Sequence, residues 1–317
     1  MHVANLFDRS VQAEPLRLRG ITSGSTKEGI DPVDFVRTAL IELAARADSA
    51  TDTDVFRPLL VCYNPHEVHF IDELFAADVF WHEVSNGWQV RPMQIRRGEL
   101  KRPNLESKRS WQLVRAVAEA FVEFSPPNVS LVMPTLSSPI NIALNLFGDE
   151  LLVDVLTDPD ATIADLRTIT DVIVECHRWF IRNVPPDVLQ PIAAAGRFQP
   201  PGYGQICGCA NQLVSPELYA EVFGPLDQEI LRLYPNGGMI HLCGTHAQHI
   251  PAWRAMPELR SVQTNDRASE DVELYRDGLR DDQVLYVHLC NTVTEERAIA
   301  AAQQRPMVIV PSLKADP

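Results

Sequence analysis

His241-Leu242-Cys243-Gly244 places an imidazole and a thiol two residues apart, at the end of the apolar run Gly237-Gly238-Met239-Ile240. A polar turn, Thr245 to His249, follows. Side chains alternate along a strand, so His241 and Cys243 are expected on the same side. An imidazole nitrogen beside a thiolate suits a borderline-soft cation such as zinc. The tripeptide returns as His288-Leu289-Cys290, again closing an apolar run, Gln283 to Val287. Two His-x-Cys strand ends in one chain predict a shared pocket with a metal or a reactive thiol in it. Without a metal, the same pairs would line a pocket and hydrogen-bond a substrate.

Other residues could join this chemistry. Cys207-Gly208-Cys209 follows a short apolar run and precedes Asn211. The two thiols could complete a thiolate-rich site, act as a redox pair, or serve only as small apolar side chains. His246 and His249, spaced i, i+3, suit either general acid–base chemistry or a solvated helix start. His66 and His69 share that spacing after an earlier strand end. Asp266 ends the run Val262 to Asn265, where a carboxylate could take a proton, position a substrate, orient His241, or cap a helix. Tyr63 closes the first strand candidate and is expected to meet substrate, as is His288. Arg96, Arg97 and Lys314 are cations whose default place is the surface.

These residues need elements to position them. The chain has 317 residues, 45% hydrophobic and 22% charged, the profile of a globular protein large enough for one big domain. Its formal net charge of −14 disfavours nucleic acid and anionic membranes, both polyanions. The start, Met1 to Arg9, lacks the pattern of a secretory leader, and no apolar run approaches a membrane span, so a cytoplasmic protein is expected. There the six cysteines are expected as thiols rather than disulfides, with Cys176, inside a helical pattern, serving packing.

Strand candidates at 57–63, 129–133, 203–207, 238–243, 260–264, 283–288 and 306–311 alternate with helical patterns. Among the helical patterns, Ser215-Pro216-Glu217 is a strong start: a capping hydroxyl, a first-turn proline and an acid at the positive end. Asn86-Gly87 predicts a hairpin between 79–84 and 88–90. Strand–helix alternation implies a parallel sheet with helices outside it. No Gly-x-Gly-x-x-Gly or Walker-type loop follows an early strand. The length suits a closed (β/α)₈ TIM barrel, which takes about 250 residues and gathers its chemistry at the strand carboxyl ends. An open doubly wound sheet has the same periodicity. Residues 57–317 are expected to form the barrel, and residues 1–56 an N-terminal extension packed on it.

Four stretches, in order, resemble the uroporphyrinogen decarboxylase superfamily: Asn145-Leu-Phe-Gly-Asp-Glu-Leu-Leu through Asp158-Pro159-Asp160, Leu213-Val-Ser-Pro-Glu through Phe223-Gly224-Pro225, Gly238-Met-Ile-His-Leu-Cys-Gly, and Met307-Val-Ile-Val-Pro. They cover roughly residues 128–314. The resemblance implies a distorted (β/α)₈ barrel with a deep cleft. It also implies one of two chemistries: cofactor-free decarboxylation of porphyrinogens, or zinc-dependent methyl transfer between corrinoid proteins and thiols. In the zinc members a His-x-Cys pair and a cysteine near the last strand hold the metal. His241 and Cys243 match the pair. The last strand ends Pro311-Ser312-Leu313, so Cys290 is the expected third ligand. The Arg-Gln-Ala-Gly-Arg segment of true uroporphyrinogen decarboxylases has no counterpart here; Tyr63-Asn-Pro-His-Glu follows the first strand candidate. An acidic tetrapyrrole would lack its cationic partners.

The expectation is therefore a zinc-dependent methyltransferase passing a methyl group from a corrinoid, carried on a separate protein, or from a small methylated donor, to a thiol. Metal ligands are expected at His241, Cys243 and Cys290. Asp266 and His246 are expected to be catalytic, and Cys207, Cys209, Tyr63 and His288 to bind substrate. The expected partners are a small molecule, a corrinoid protein and a second copy of the chain. Two alternatives stand beside this: a metal-free decarboxylase or lyase acting on a small acid or tetrapyrrole, and a non-catalytic thiol-rich metal-binding protein.

Overall fold

A computed structural model describes residues 3–8, 14–48, 54–191 and 195–311. Its strands are β1 (Leu16–Leu18), β2 (Ile21–Ser25), β3 (Val55–Phe56), β4 (Leu59–Tyr63), β5 (Asp78–His82), β6 (Gly87–Arg91), β7 (Val129–Val132), β8 (Leu189–Gln190), β9 (Gly204–Cys207), β10 (Gly238–Cys243), β11 (Leu259–Asn265), β12 (Val284–His288) and β13 (Met307–Val310). Seven of them form a sheet in the order β3-β1-β13-β12-β11-β10-β9, and four another in the order β2-β4-β7-β8. Every pairing within these two sheets is parallel. β5 and β6 form a separate antiparallel hairpin.

β9 to β13 are buried along nearly their whole length. Both faces are covered, which is why they appear in sequence as apolar runs rather than as alternating strands. The helices that cover them start where the sequence says they should. The Ser215 hydroxyl accepts from the backbone N–H of Leu218 at 3.2 Å, with Pro216 in the first turn. Pro159–Asn183 turns Leu166, Ile169, Ile173, Cys176 and Phe180 into the core at helical spacing. All six cysteines are free.

The closed eight-stranded barrel is corrected in one respect: the hydrogen-bond ladder does not run round continuously. It bends at one seam and breaks at a second. At the first, the chain crosses from one sheet to the other over Arg19-Gly20 and, beside it, over Arg57-Pro58, with Arg19 N–H on Phe56 O (3.0 Å) and Ile21 N–H on Pro58 O (2.8 Å). Pro58 has no N–H to extend the ladder. At the second, the two-residue β8 does not pair with β9. Side chains span that gap: Gln190 Nε2 donates to Gln199 O (3.0 Å), Gln199 Nε2 to Gly204 O (2.9 Å), and Ser261 Oγ to Gln199 Oε1 (2.9 Å). One isolated bridge, Ser137 to Cys207, joins the two sheets above this gap.

Residues 16–25, expected within an N-terminal extension, supply β1, which pairs with β13 and β3, and β2, which pairs with β4. The hairpin forms around Asn86, at φ 49°, but Gly87 already belongs to β6. Among the described residues no helix is long and apolar enough to cross a membrane.

Candidate metal centre

A cavity of about 990 Å³ opens at the carboxyl ends of β2, β4, β9 and β10. Its wall includes Gly24, Cys62, Ser137, Cys207, Cys209, His241 and Cys243. Alternation along β10 puts His241 and Cys243 on that wall together, as the spacing predicts. Gly244 follows at φ 83°, a conformation that costs an L-residue about 1–2 kcal/mol; a Cβ there would lie 2.1 Å from Gln212 Oε1.

Cys209, His241 and Cys243 each offer a ligand atom, and these atoms lie within 4.8 Å of one another. The His241 ring is fixed by its neighbour across the ladder. Gln263 pairs with it in register, and His241 Nδ1–H donates to Gln263 Oε1. Gln263 Nε2 is itself tied to Thr264 O at 2.8 Å, which sets the amide's orientation. The Nε2 lone pair of His241 therefore faces the cavity, 3.2 Å from Cys243 Sγ and 2.9 Å from Arg197 Nη2. Burial, then the Arg197 charge, pushes the His241 pKa down, so the ring is neutral, as a ligand must be.

Cys243 is held well below the usual thiol range. The main cause is an S–H donated by Cys209, with His241 and, at 3.8 Å, Asn265 Nδ2 adding to it against the cost of burial. Cys209 moves the opposite way, because giving up its proton would break that bond. The bond thus drives the two sulfurs apart, Cys243 toward the thiolate and Cys209 toward the thiol. Cys207 lies beside them; burial raises its pKa, and Arg197 Nη1 donates to its sulfur at 3.6 Å. Two thiolate-capable sulfurs and a neutral imidazole with an oriented partner fit a zinc-like ion, whose ligands sit about 2.0–2.3 Å from the metal.

The structure brings Cys209, not the expected Cys290, to His241 and Cys243. Strand β12 ends at His288, and Cys290 lies in a tight turn closed by reciprocal Cys290–Val293 backbone bonds of 3.2 Å. Its sulfur lies 3.2 Å from Thr292 Oγ1. His288 Nδ1–H donates to Leu289 O at 3.2 Å, and neither residue is in the cavity lining. Asp266 is exposed, at φ 49°, and makes no capping bond; the partner of His241 is Gln263. His246 is buried with Nε2–H on Cys243 O at 2.7 Å, and burial takes its pKa down to about 4. It braces the ligand loop rather than facing the cavity. His249 similarly holds Asn211 O at 2.7 Å. Tyr63 donates to Lys27 O at 3.2 Å and lines a smaller pocket of about 370 Å³. Arg97 pairs with Asp154 and stacks on Phe147, while Lys314 and Ser312 lie outside the described residues.

Arg197 and Gln263 contact His241 in this cluster and carry no signal in the sequence. A second polar group lies elsewhere on the cavity wall. His69 lines the cavity, and its Nδ1 lies 2.7 Å from Asp72 Oδ2, which also accepts from Asn145 Nδ2 at 2.8 Å. The sequence signal for it was the His66/His69 spacing alone.

No protein-family model and no curated protein matches the chain. Among solved structures it is similar to a methyltransferase from Methanosarcina mazei, at 13% identity and a TM-score of 0.63, over 97% of this chain and 90% of that one. At that identity the likeness is one of fold: a parallel α/β architecture shared over nearly the whole length.

Proposed function

We propose that the protein is an enzyme of the uroporphyrinogen decarboxylase-like superfamily, with its strands arranged as an opened (β/α)₈ barrel. In this reading it is a methyltransferase that moves a methyl group from a corrinoid, carried on a separate protein, or from a small methylated donor, to a thiol. The observation that carries the reading is the Cys209–His241–Cys243 group, ordered by Gln263, on the wall of a substrate-sized cavity. The likeness in fold to a methyltransferase supports it. The reading also places the protein in the cytoplasm, where its thiols stay reduced.

Zinc held by Cys209, His241 and Cys243 would lower the pKa of an acceptor thiol and leave one coordination position for it. The chain's own residues do the rest. Gln263 keeps His241 in the tautomer whose Nε2 faces the cavity. The Cys209 proton leaves as a ligand set forms, which makes metal uptake release protons. Arg197 sits at the rim of the cluster and offsets its negative charge.

Two measurements test the reading. The purified protein should carry about one zinc per chain, and methylcobalamin should be demethylated in the presence of small thiols, with a thioether as the product. A zinc-free protein that stays inert after zinc addition, with every thiol tried, would sink it.

A further inference from the structure

We propose that His69 is the proton-transfer group of this cavity, acting from the wall segment that follows β4. Naming the proton donor as a thiol rests on the methyl-transfer reading; the assignment of His69 itself does not.

The local chain is shaped to present this ring. After β4, His66 and Glu67 adopt consecutive positive φ angles of 58° and 52°. Neither is glycine, and such residues cost about 1–3 kcal/mol each unless their surroundings enforce them. The turn delivers His69 at the end of the 3₁₀ segment Glu67–His69, and the helix Phe70–Leu74 begins at once. Asp72 then falls three residues on, on the same side as the imidazole.

Asp72 is fully buried. Its Oδ2 takes His69 Nδ1–H at 2.7 Å and Asn145 Nδ2–H at 2.8 Å, while Oδ1 is buried with no partner among the described residues. A carboxylate with no lysine or arginine partner among the described residues is an expensive group to bury. What it gains is a fixed ring: His69 Nδ1–H is committed to Asp72, which leaves Nε2 as the ring atom free to exchange a proton. Nε2 has no protein partner among the described residues, and His69 belongs to the cavity wall. Should Nε2 take a proton, the new cation sits against the Asp72 charge. This is the geometry by which a carboxylate–imidazole pair serves as a general base. A purely structural pair would gain nothing from leaving Nε2 open to a 990 Å³ cavity.

In the methyl-transfer reading the balance is simple. The thiol S–H bond breaks and its proton goes to His69 Nε2. The new S–CH₃ bond forms from the sulfur electron pair. The bond from methyl to its donor breaks, and that pair stays with the donor. His69 then returns the proton to solvent. Asp72 is the positioning residue.

Two arms on the full chain decide the matter. The first needs no substrate: diethyl pyrocarbonate acylates unprotonated imidazole nitrogen, and peptide mass spectrometry follows each histidine. His69 should label faster than the exposed His82, and Asp72→Asn should slow it about fivefold or more while leaving His82 unchanged. A His69 that labels no faster than His82, or is indifferent to Asp72→Asn, overturns the assignment. The second arm is turnover with methylcobalamin and a thiol. His69→Gln should cut kcat about 10²–10³-fold with zinc content and the thiol KM kept, and Asp72→Asn should cut it less. If His69→Gln keeps its kcat, His69 is excluded and methyl transfer survives. If the labelling result holds and no thiol is methylated, methyl transfer fails and the proton-transfer group stands.

Discussion

His241-Leu242-Cys243 and His288-Leu289-Cys290 are the same tripeptide at the ends of two strands that flank β11, yet only the first pair joins a site. The difference lies in where the strand stops. β10 runs through Cys243, which still pairs with Asn265, so alternation keeps the ring and the sulfur on one side. β12 stops at His288, paired with Val310, and Cys290 is carried into the 290–293 turn. A His-x-Cys spelling makes a ligand pair only while the backbone stays extended through both residues. Environment adds to this: the first histidine meets Gln263 and Arg197, while the second meets a neighbouring carbonyl.

The largest expected effect breaks the pairing at its root. Cys243→Ala should reduce bound zinc from about one per chain to nearly none, Cys209→Ala should do likewise, and Cys290→Ala should keep the full complement. Atomic absorption on the three proteins checks this; zinc lost only with Cys290 would reverse the comparison. Next comes the partner of the ring. Gln263→Leu leaves His241 unoriented and should weaken zinc about 10–100-fold in chelator competition. Unchanged affinity would mean that the ladder neighbour is incidental.

Arg197 works in the other direction. Its N–H and a metal compete for the single Nε2 lone pair of His241, and both are cations. Arg197→Met should therefore tighten zinc about tenfold, read in the same competition. The smallest effect is a flat profile. In the zinc-free protein Cys243 is expected as a thiolate at neutral pH, because the Cys209 hydrogen bond depresses its pKa. Its alkylation by iodoacetamide should change less than about twofold from pH 6 to pH 8, where an unperturbed thiol would gain roughly two orders of magnitude. A steep rise would show that the Cys209 hydrogen bond does not hold Cys243 as the thiolate.

What the sequence disclosed follows from which signals are local. The His241/Cys243 pair and the Ser215 and Pro159 helix starts depend on a few neighbouring residues, and these were legible. Gln263 was not, because its role comes from the β10–β11 register, which no spacing along the chain encodes. Arg197 follows the two-residue β8, too short to leave a pattern. β1 and β2 are hard to read because Leu16-Arg17-Leu18 alternates over only three residues, and Thr22, Ser23, Gly24 and Ser25 leave β2 without the apolar pattern that marks a strand. Asp266 misled because a carboxylate at a strand end suggests a site, whereas its exposed position at φ 49° turns it away. Cys209 reads in sequence as a substrate contact, since only the fold brings its thiol, still free, within reach of His241 and Cys243.

The break in the ladder gives the cavity an architecture that a fully laced cylinder would lack. Sulfur chemistry rides on the seven-stranded sheet, whereas His69 follows a strand of the four-stranded one. Any molecule touching both groups thereby adds a link between two sheets that already share one hydrophobic core. Occupancy should consequently be felt as rigidity across the entire body, and a heat-melting curve would register a true substrate before any turnover assay did.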